Sequence, residues 1–443
     1  MSIGTFDPGL KEDAGLAPFA AGARESNLFA SVSRALAPVL FAVVWLAATG
    51  TAFAQCTGAG APSNTETKCL TAVAIPGGLT SFDISFVNPE RSEYYLADRT
   101  NKGIDIIDTA SNTFKKRIFS SAFPFAGIQA DNNHSGPDGV VARGRCLYTG
   151  DGDSTLKVFD IDVGEHGELL QRVDTGASPK TRLDEMALSG DGHFLLAVNN
   201  AANPPFATLF PVDDDSCTVG TGFKIEADPS VIPADNQGLS IEQPTWVELT
   251  HRFVVSVPTT INNPTANCSY GSVNPGNPPC SGAILVIDPT HPVTPVPLAD
   301  TISLINCGPN GATVGPHGNV MVGCTPGNQP TNLETTIINA KTHNYVDVGN
   351  LTGSDEVWYN RGSNRYYTGS NRNPGGAVLG VVDGTTNFLV ETIPQSPGSH
   401  SVAADSRRNE IFVPENATGP VSAGICGGSN GCVAVYSAPS TDE

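Results

Sequence analysis

Short runs of alternating apolar and polar residues, closed by tight polar turns, recur along most of this chain. The clearest is GSHSVAADSRRNEIFVPE, from Gly398 to Glu415, where HSVAAD and EIFVPE flank the turn Ser406-Arg407-Arg408-Asn409. Period-two alternation on both sides of a turn predicts a β-hairpin. Six further copies align with it: DISFVNPERSEYYLAD from Asp83, DGVVARGRCLYTGD from Asp138, EMALSGDGHFLLAVNN from Glu185, TWVELTHRFVVSVP from Thr245, NGATVGPHGNVMVGC from Asn310 and EVWYNRGSNRYYTGS from Glu356. A strand-only unit repeating every roughly 40–50 residues, lengthened by insertions, is what a propeller blade requires. The predicted fold is all-β, a seven-bladed β-propeller.

The segments between hairpins fit the same plan. GIDIIDTASN, LKVFDID, AILVIDPTHP, AVLGVVDGTT and VAVYSAPS read as third strands, most ending in an aspartate that caps a turn. ELLQRVDTG, HPVTPVPLADT, HNYVDVGN and NFLVETIPQS read as outermost strands. CLTAVAIPGG, before the first hairpin, has no preceding blade, whereas the last blade ends at CVAVYSAPS without an outermost strand. The N-terminal strand is therefore expected to complete blade 7 and close the ring, leaving no exposed edge. Two long loops, Thr259 to Ser281 in blade 4 and Asn416 to Gly431 in blade 7, interrupt the pattern.

Ahead of the repeats stands ALAPVLFAVVWLAA, from Ala35 to Ala48, preceded by Arg34 and followed by Ala52-Phe53-Ala54. A short apolar run with an A-x-A site is a secretory signal, too short for a comfortable membrane span. Residues 1–54 are read as the signal peptide and residues 55–443 as the propeller, periplasmic or secreted, with no membrane insertion after cleavage. All ten cysteines follow that point, an even number in an exported chain, which predicts disulfides. Cys307–Cys324, Cys426–Cys432, Cys268–Cys280 and Cys56–Cys69 pair by proximity, and Cys146–Cys217 by elimination. Removing residues 1–54, with three Lys/Arg and four Asp/Glu, leaves 21 basic against 40 acidic residues, a net charge of −19. So acidic a surface, with no basic stripe, excludes nucleic-acid binding.

The hairpin and its I-x-V-I-D continuation, as in LADRTNKGIDIID and HSVAADSRRNEIFVP, resemble the repeats of bacterial surface-layer and cytochrome-d1-like propellers. They are more loosely similar to gluconolactonase and lactonase propellers. In a propeller the first residue of each inner strand points into the channel mouth. The alignment places Asp83, Asp138, Glu185, Thr245, Asn310, Glu356 and His400 there. Crowded carboxylates raise one another's pKa unless a cation sits among them, and carboxylate and amide oxygens suit a hard ion such as calcium. Gluconolactonase-like enzymes hold a divalent ion with a glutamate and with an asparagine and an aspartate often found in PNG and PDG. The resemblance implies Glu356, Asn310 (in Gly308-Pro309-Asn310-Gly311) and Asp138 (in Gly136-Pro137-Asp138-Gly139) as metal ligands. Both tripeptides are also favoured turn sequences, and those enzymes are typically six-bladed.

The expected activity is metal-assisted hydrolysis of a lactone or similar ester. Glu185 or His400 would remove a proton from water, and Asp83, His134 and Thr245 would contact a small polar ligand. The alternative is a non-enzymatic propeller that binds a protein or polymer through its loops.

Overall fold

A computed structural model describes Cys56 and residues 64–234, 239–261, 281–325 and 334–438, among which lie seven antiparallel sheets. The predicted leader and the Cys268–Cys280 pair lie outside the described residues. Five of the sheets are blades of four strands in sequence order, the first innermost, and blades 3 and 7 vary that plan. Blade 1 holds Ser85–Asn88, Glu93–Asp98, Gly103–Asp108 and Thr113–Ile118, and blade 2 holds Val140–Arg143, Cys146–Asp151, Thr155–Asp160 and Glu168–Asp174. In blade 3 the strands Met186–Leu188, Phe194–Asn199 and Phe206–Asp213 are followed by two short pieces, Thr218–Val219 and Phe223–Ile225, which share the outermost position. The inner strands of blades 4 to 7 are Pro244–Val247, Gly308–Val314, Val357–Asn360 and Ala403–Asp405. Each inner strand touches that of the next blade, and blade 7 touches blade 1.

Burial explains why some strands alternate and others do not. Glu93–Asp98, Cys146–Asp151 and Thr155–Asp160 are buried along their whole length because neighbouring blades cover both faces. The outermost Glu168–Asp174 has one open face and alternates throughout. Seven apolar clusters result, one per blade–blade interface. One joins Leu96, Ile107, Phe412 and Val433 between blades 7 and 1, and another joins Leu147 and Phe159 to Ile104 and Ile106 between blades 1 and 2. Blade 7 has the strand order Lys68–Ala74, Cys432–Ser437, Glu410–Glu415, Ala403–Asp405, so its outermost strand comes from the N-terminal side of the described chain.

The aspartates after the third strands are structural: Asp108 Oδ1 accepts from the N–H groups of Ala110 and Ser111, and Asp383 Oδ1 from those of Thr385 and Thr386. Two predicted elements differ. The outermost strand of blade 4 is Thr301–Ser303 and not His291–Thr301, because Pro292, Pro295 and Pro297 offer no N–H to a ladder. The long loop of blade 7 contains a helix, Gly419–Cys426, with a proline in its first turn and Gly427 in the left-handed region (φ 68°) to end it.

Among the described residues four disulfides are formed: Cys56–Cys69, Cys146–Cys217, Cys307–Cys324 and Cys426–Cys432. Cys146–Cys217 staples blade 2 to blade 3 across 71 residues, whereas Cys426–Cys432 closes only 6. Loop-closure entropy therefore sets their order. The Cys146→Ala/Cys217→Ala variant is expected to lose about 4 kcal/mol and the Cys426→Ala/Cys432→Ala variant about 2 kcal/mol. Denaturant unfolding of the two variants side by side checks that order.

Candidate functional site

Backbone hydrogen bonds fix which residues are equivalent round the channel mouth. The N–H groups of Asp83, Asp138, Asp184, Glu242 and Asp355 donate to Ala97, Gly150, Val198, Ser256 and Gly369 at 2.8 to 3.1 Å, each on the second strand of its own blade. Pairing of Ala312 with Val322 and of Ala403 with Phe412 puts Asn310 and Ser401 at the same level. The true ring is thus Asp83, Asp138, Asp184, Glu242, Asn310, Asp355 and Ser401. Glu185 and Glu356 stand one residue deeper. Thr245 lies lower still, and His400 precedes the ring position by one.

Two stretches recur three blades apart. Blades 2 and 5 carry Pro137-Asp138-Gly139 and Pro309-Asn310-Gly311, and the blades after them carry Asp184-Glu185 and Asp355-Glu356. The glycines explain the pairing. A Cβ on Gly139 would lie 2.0 Å from the Asp184 carbonyl oxygen, and one on Gly311 would lie 2.1 Å from that of Asp355. Gly311 N–H also donates to the Asp355 carbonyl at 2.6 Å. Each glycine lets the next blade's backbone approach closely enough to push its acidic pair into the channel.

The mouth encloses a cavity of about 310 Å³ lined almost wholly by polar side chains, among them Asp83, Arg99, Arg182, Asp184, Glu185, Glu242, Asp355, Arg372 and His400. Arg99 is its internal cation. Its guanidinium pairs with Asp83 and with Asp138 (Nε to Oδ1 2.9 Å) and reaches Asn132 at 3.1 Å. Arg182 bonds Asp184 at 2.9 Å and lies 3.8 Å from Asp83, and Arg372 bonds Asp355 at 3.2 Å. Burial works to raise the Asp83 pKa, but Arg99, His400 and Arg182 outweigh it and hold it low. Three aspartates share two guanidiniums, and burial pushes Asp138 and Asp184 well above the usual carboxylate range.

One oxygen from each of Asp83, Asp138 and Asp184 falls within 4.8 Å of the others, a spacing that suits a metal. Arg99 already bonds two of the three. The cluster is neutralised from within.

The deeper pair behaves differently. Glu185 and Glu356 reach in from blades 3 and 6 and meet across the channel close enough to share a proton. Gln243 Nε2 donates to Glu356 Oε2 at 2.8 Å, while no other donor among the described residues reaches the buried Glu185 Oε2 or Glu356 Oε1. Burial, joined by the charges of Glu356, Asp184 and Glu242, lifts Glu185 well above its ordinary value. Burial and the nearby Asp355 and Asp83 push Glu356 up to about 8. Burial likewise raises Glu242 to about 7 and Asp355 to about 6.

The remaining residues singled out from sequence fall as follows. His400 stacks on Phe82 (centroids 4.9 Å apart), with Nε2 3.3 Å from Asp83 and Nδ1 2.7 Å from the Gly398 carbonyl. Both ring nitrogens face acceptors, and although burial opposes it, the Asp83 bond raises the pKa. His400 is thus tied through both ring nitrogens and not free to act as a base. His134 is exposed, bonded to Asp131 at 3.0 Å, and its neighbour Asn132 reaches the site instead. Asn310 is buried and donates to the Ser354 carbonyl at 3.3 Å. Of the three residues implied as metal ligands, Asp138 is engaged by Arg99 and Glu356 by Gln243 and Glu185. Arg99, Arg182, Asp184, Glu242 and Asp355 were not read from the sequence. The repeated Asp-Glu doublets were the available signal.

No family model and no curated protein matches this chain. Among solved structures it is similar to hydrazine synthase of Kuenenia stuttgartiensis, with a TM-score of 0.53 and 11% identity over 77% of this chain and 93% of that one. The likeness is of fold alone.

Proposed function

We propose that the channel mouth binds a small polar ligand over a divalent cation held by Glu185 and Glu356, and that it hydrolyses a lactone or similar ester. The observation that carries this reading is the buried glutamate pair, two of whose oxygens take no donor from the surrounding side chains. An oxygen-only donor set from two carboxylates suits a hard ion such as calcium. A divalent ion bound there would polarise an ester carbonyl and lower the pKa of a bound water. Glu242 and Asp355, raised to about 7 and about 6, are placed on the same mouth to hold or pass a proton near neutral pH. Arg99 and Arg182 fix the acidic ring and keep its charge from spreading the blades. The disulfides support an oxidising, extracytoplasmic setting.

Calorimetric titration with calcium tests the reading. About one ion per chain is expected, with release of the shared proton. Affinity should be weaker at pH 6 than at pH 9, because Glu356 must lose its proton near 8 to take the ion. Glu185→Gln/Glu356→Gln should abolish uptake while keeping the fold. Absence of any divalent-ion uptake by the parent protein sinks the proposal. Uptake without turnover of any lactone or ester in a screen removes the hydrolase and keeps the ligand site.

A further inference from the structure

Below the glutamate pair the channel widens into a second cavity of about 1040 Å³, at the upper end of the size range of small-molecule sites, about 300–1,000 Å³. Its wall is made of the inner strands of blades 1 to 6, with Ser406 and Arg407 from the turn of blade 7. Each strand has a ladder neighbour on one side only, so their channel edges present backbone groups outside any ladder, although side chains take some of them: Ala312 N–H donates to Gln243 Oε1 and Tyr359 N–H to Thr313 Oγ1.

The chain has three tryptophans. Trp45 precedes the propeller, and both others, Trp246 and Trp358, line this cavity half-buried. Each is locked in place. Trp246 donates its indole N–H to Glu248 at 2.6 Å and rests edge-on against Phe253, centroids 4.9 Å apart. On the preceding blade Gly190 leaves room for this pair: a Cβ there would lie 2.4 Å from Glu248 Oε2 and 3.0 Å from Trp246 Nε1. Trp358 meets Phe86 edge-on at 5.6 Å. These two side chains come from blades 6 and 1, and the equivalent residue of blade 7 between them is the small, buried Ala404. At that level the blades across the channel carry Ala187 and Thr245. One wall is therefore aromatic, and the facing wall is small and hydroxylated.

We infer that this lower cavity is a second ligand site, for a hydroxylated ring such as a pyranose. A sugar ring sets an apolar C–H face against the pre-positioned Trp358 and Phe86. Its equatorial hydroxyls then meet Thr245 and the strand edges. Rings already locked by Phe86, Glu248 and Phe253 lose little freedom on binding, which favours affinity. The inference stands apart from the cation reading of the mouth.

Tryptophan emission of the mature protein titrated with free monosaccharides and their methyl glycosides (glucose, galactose, mannose, N-acetylglucosamine, rhamnose) is the test. A saturable change with at least one of them is expected. Titration calorimetry should then show at least tenfold weaker binding to Trp358→Ala, and to Ala187→Trp, which fills the cavity and keeps both native indoles. Glu185→Gln/Glu356→Gln should bind the sugar as the parent does. No saturable response to any sugar overturns the inference, as does undiminished binding by Ala187→Trp. Saturable binding of phenol or indole in place of every sugar overturns the ligand class.

Discussion

Arg99→Met is expected to destabilise the propeller by about 3–5 kcal/mol, the usual consequence of leaving buried charges without their partner. Arg99 and Asp138 are buried, Asp83 is nearly so, and the guanidinium bonds both carboxylates. Arg182 cannot take over, since it already bonds Asp184 and stays 3.8 Å from Asp83. Thermal unfolding with and without Asp138→Asn in the same chain checks the cause. Removing the orphaned carboxylate should recover part of the loss. Calcium should stabilise Arg99→Met more than it stabilises the parent, because the freed oxygens of Asp83 and Asp138 lie within 4.8 Å of each other and of Asp184. An Arg99→Met protein as stable as the parent would mean that protons, and not the guanidinium, neutralise the ring.

The second large effect is on pH. Glu356 holds its proton up to about 8 in the folded chain against an ordinary 4.5. The native state thus binds a proton that the unfolded chain gives up, and stability falls across that interval. Its contribution is complete below pH 4.5 and lost as the pH rises through about 8. Glu242, raised to about 7, and Asp355, raised to about 6, act with the same sign. Asp83, held low, acts oppositely, but only in acid below its ordinary 3.8. With divalent ions removed, the protein is expected to be more stable at pH 5 than at pH 9 by a few kcal/mol, since each tenfold gain in proton affinity on folding is worth on the order of 1.4 kcal/mol. Glu356→Gln should flatten much of that slope. Glu415, buried behind Ser396 and also raised to about 8, supplies a separate part that Glu415→Gln removes. Melting midpoints measured across this range decide it: a level or rising profile would place Glu185 and Glu356 as ionised carboxylates.

The blades were legible because hairpin alternation is a local property repeated seven times, and the residues that set it are the ones buried. The ring was legible only in part. Asp83, Asp138 and Asn310 were placed at the correct level because they start their inner strands in the expected register. Glu185 and Glu356 were read one position too high, since in blades 3 and 6 the doublets Asp184-Glu185 and Asp355-Glu356 offer two adjacent acids for one ring position. Only the bond from Asp184 N–H to Val198, or from Asp355 N–H to Gly369, settles that choice. Arg99 and Arg182 were invisible for another reason. Arg99 directly follows the second strand of blade 1, Arg182 lies in the loop entering blade 3, and nothing in local pattern says that both bend into one mouth. The Pro-Asp-Gly and Pro-Asn-Gly stretches were read as ligand motifs or turns. They prove to be close-approach points that aim the next blade's acids inward.

Blade 7 also has a temporal consequence. Lys68–Ala74 leaves the ribosome first among the propeller strands, yet its hydrogen-bonding partner is Cys432–Ser437. At ordinary elongation rates, about 5–20 residues per second, that strand waits on the order of tens of seconds with Cys69, Thr71 and Val73 uncovered. The nascent chain therefore carries an unpaired, sticky edge until Cys432–Ser437 has emerged, and blade 7 is the last to be covered.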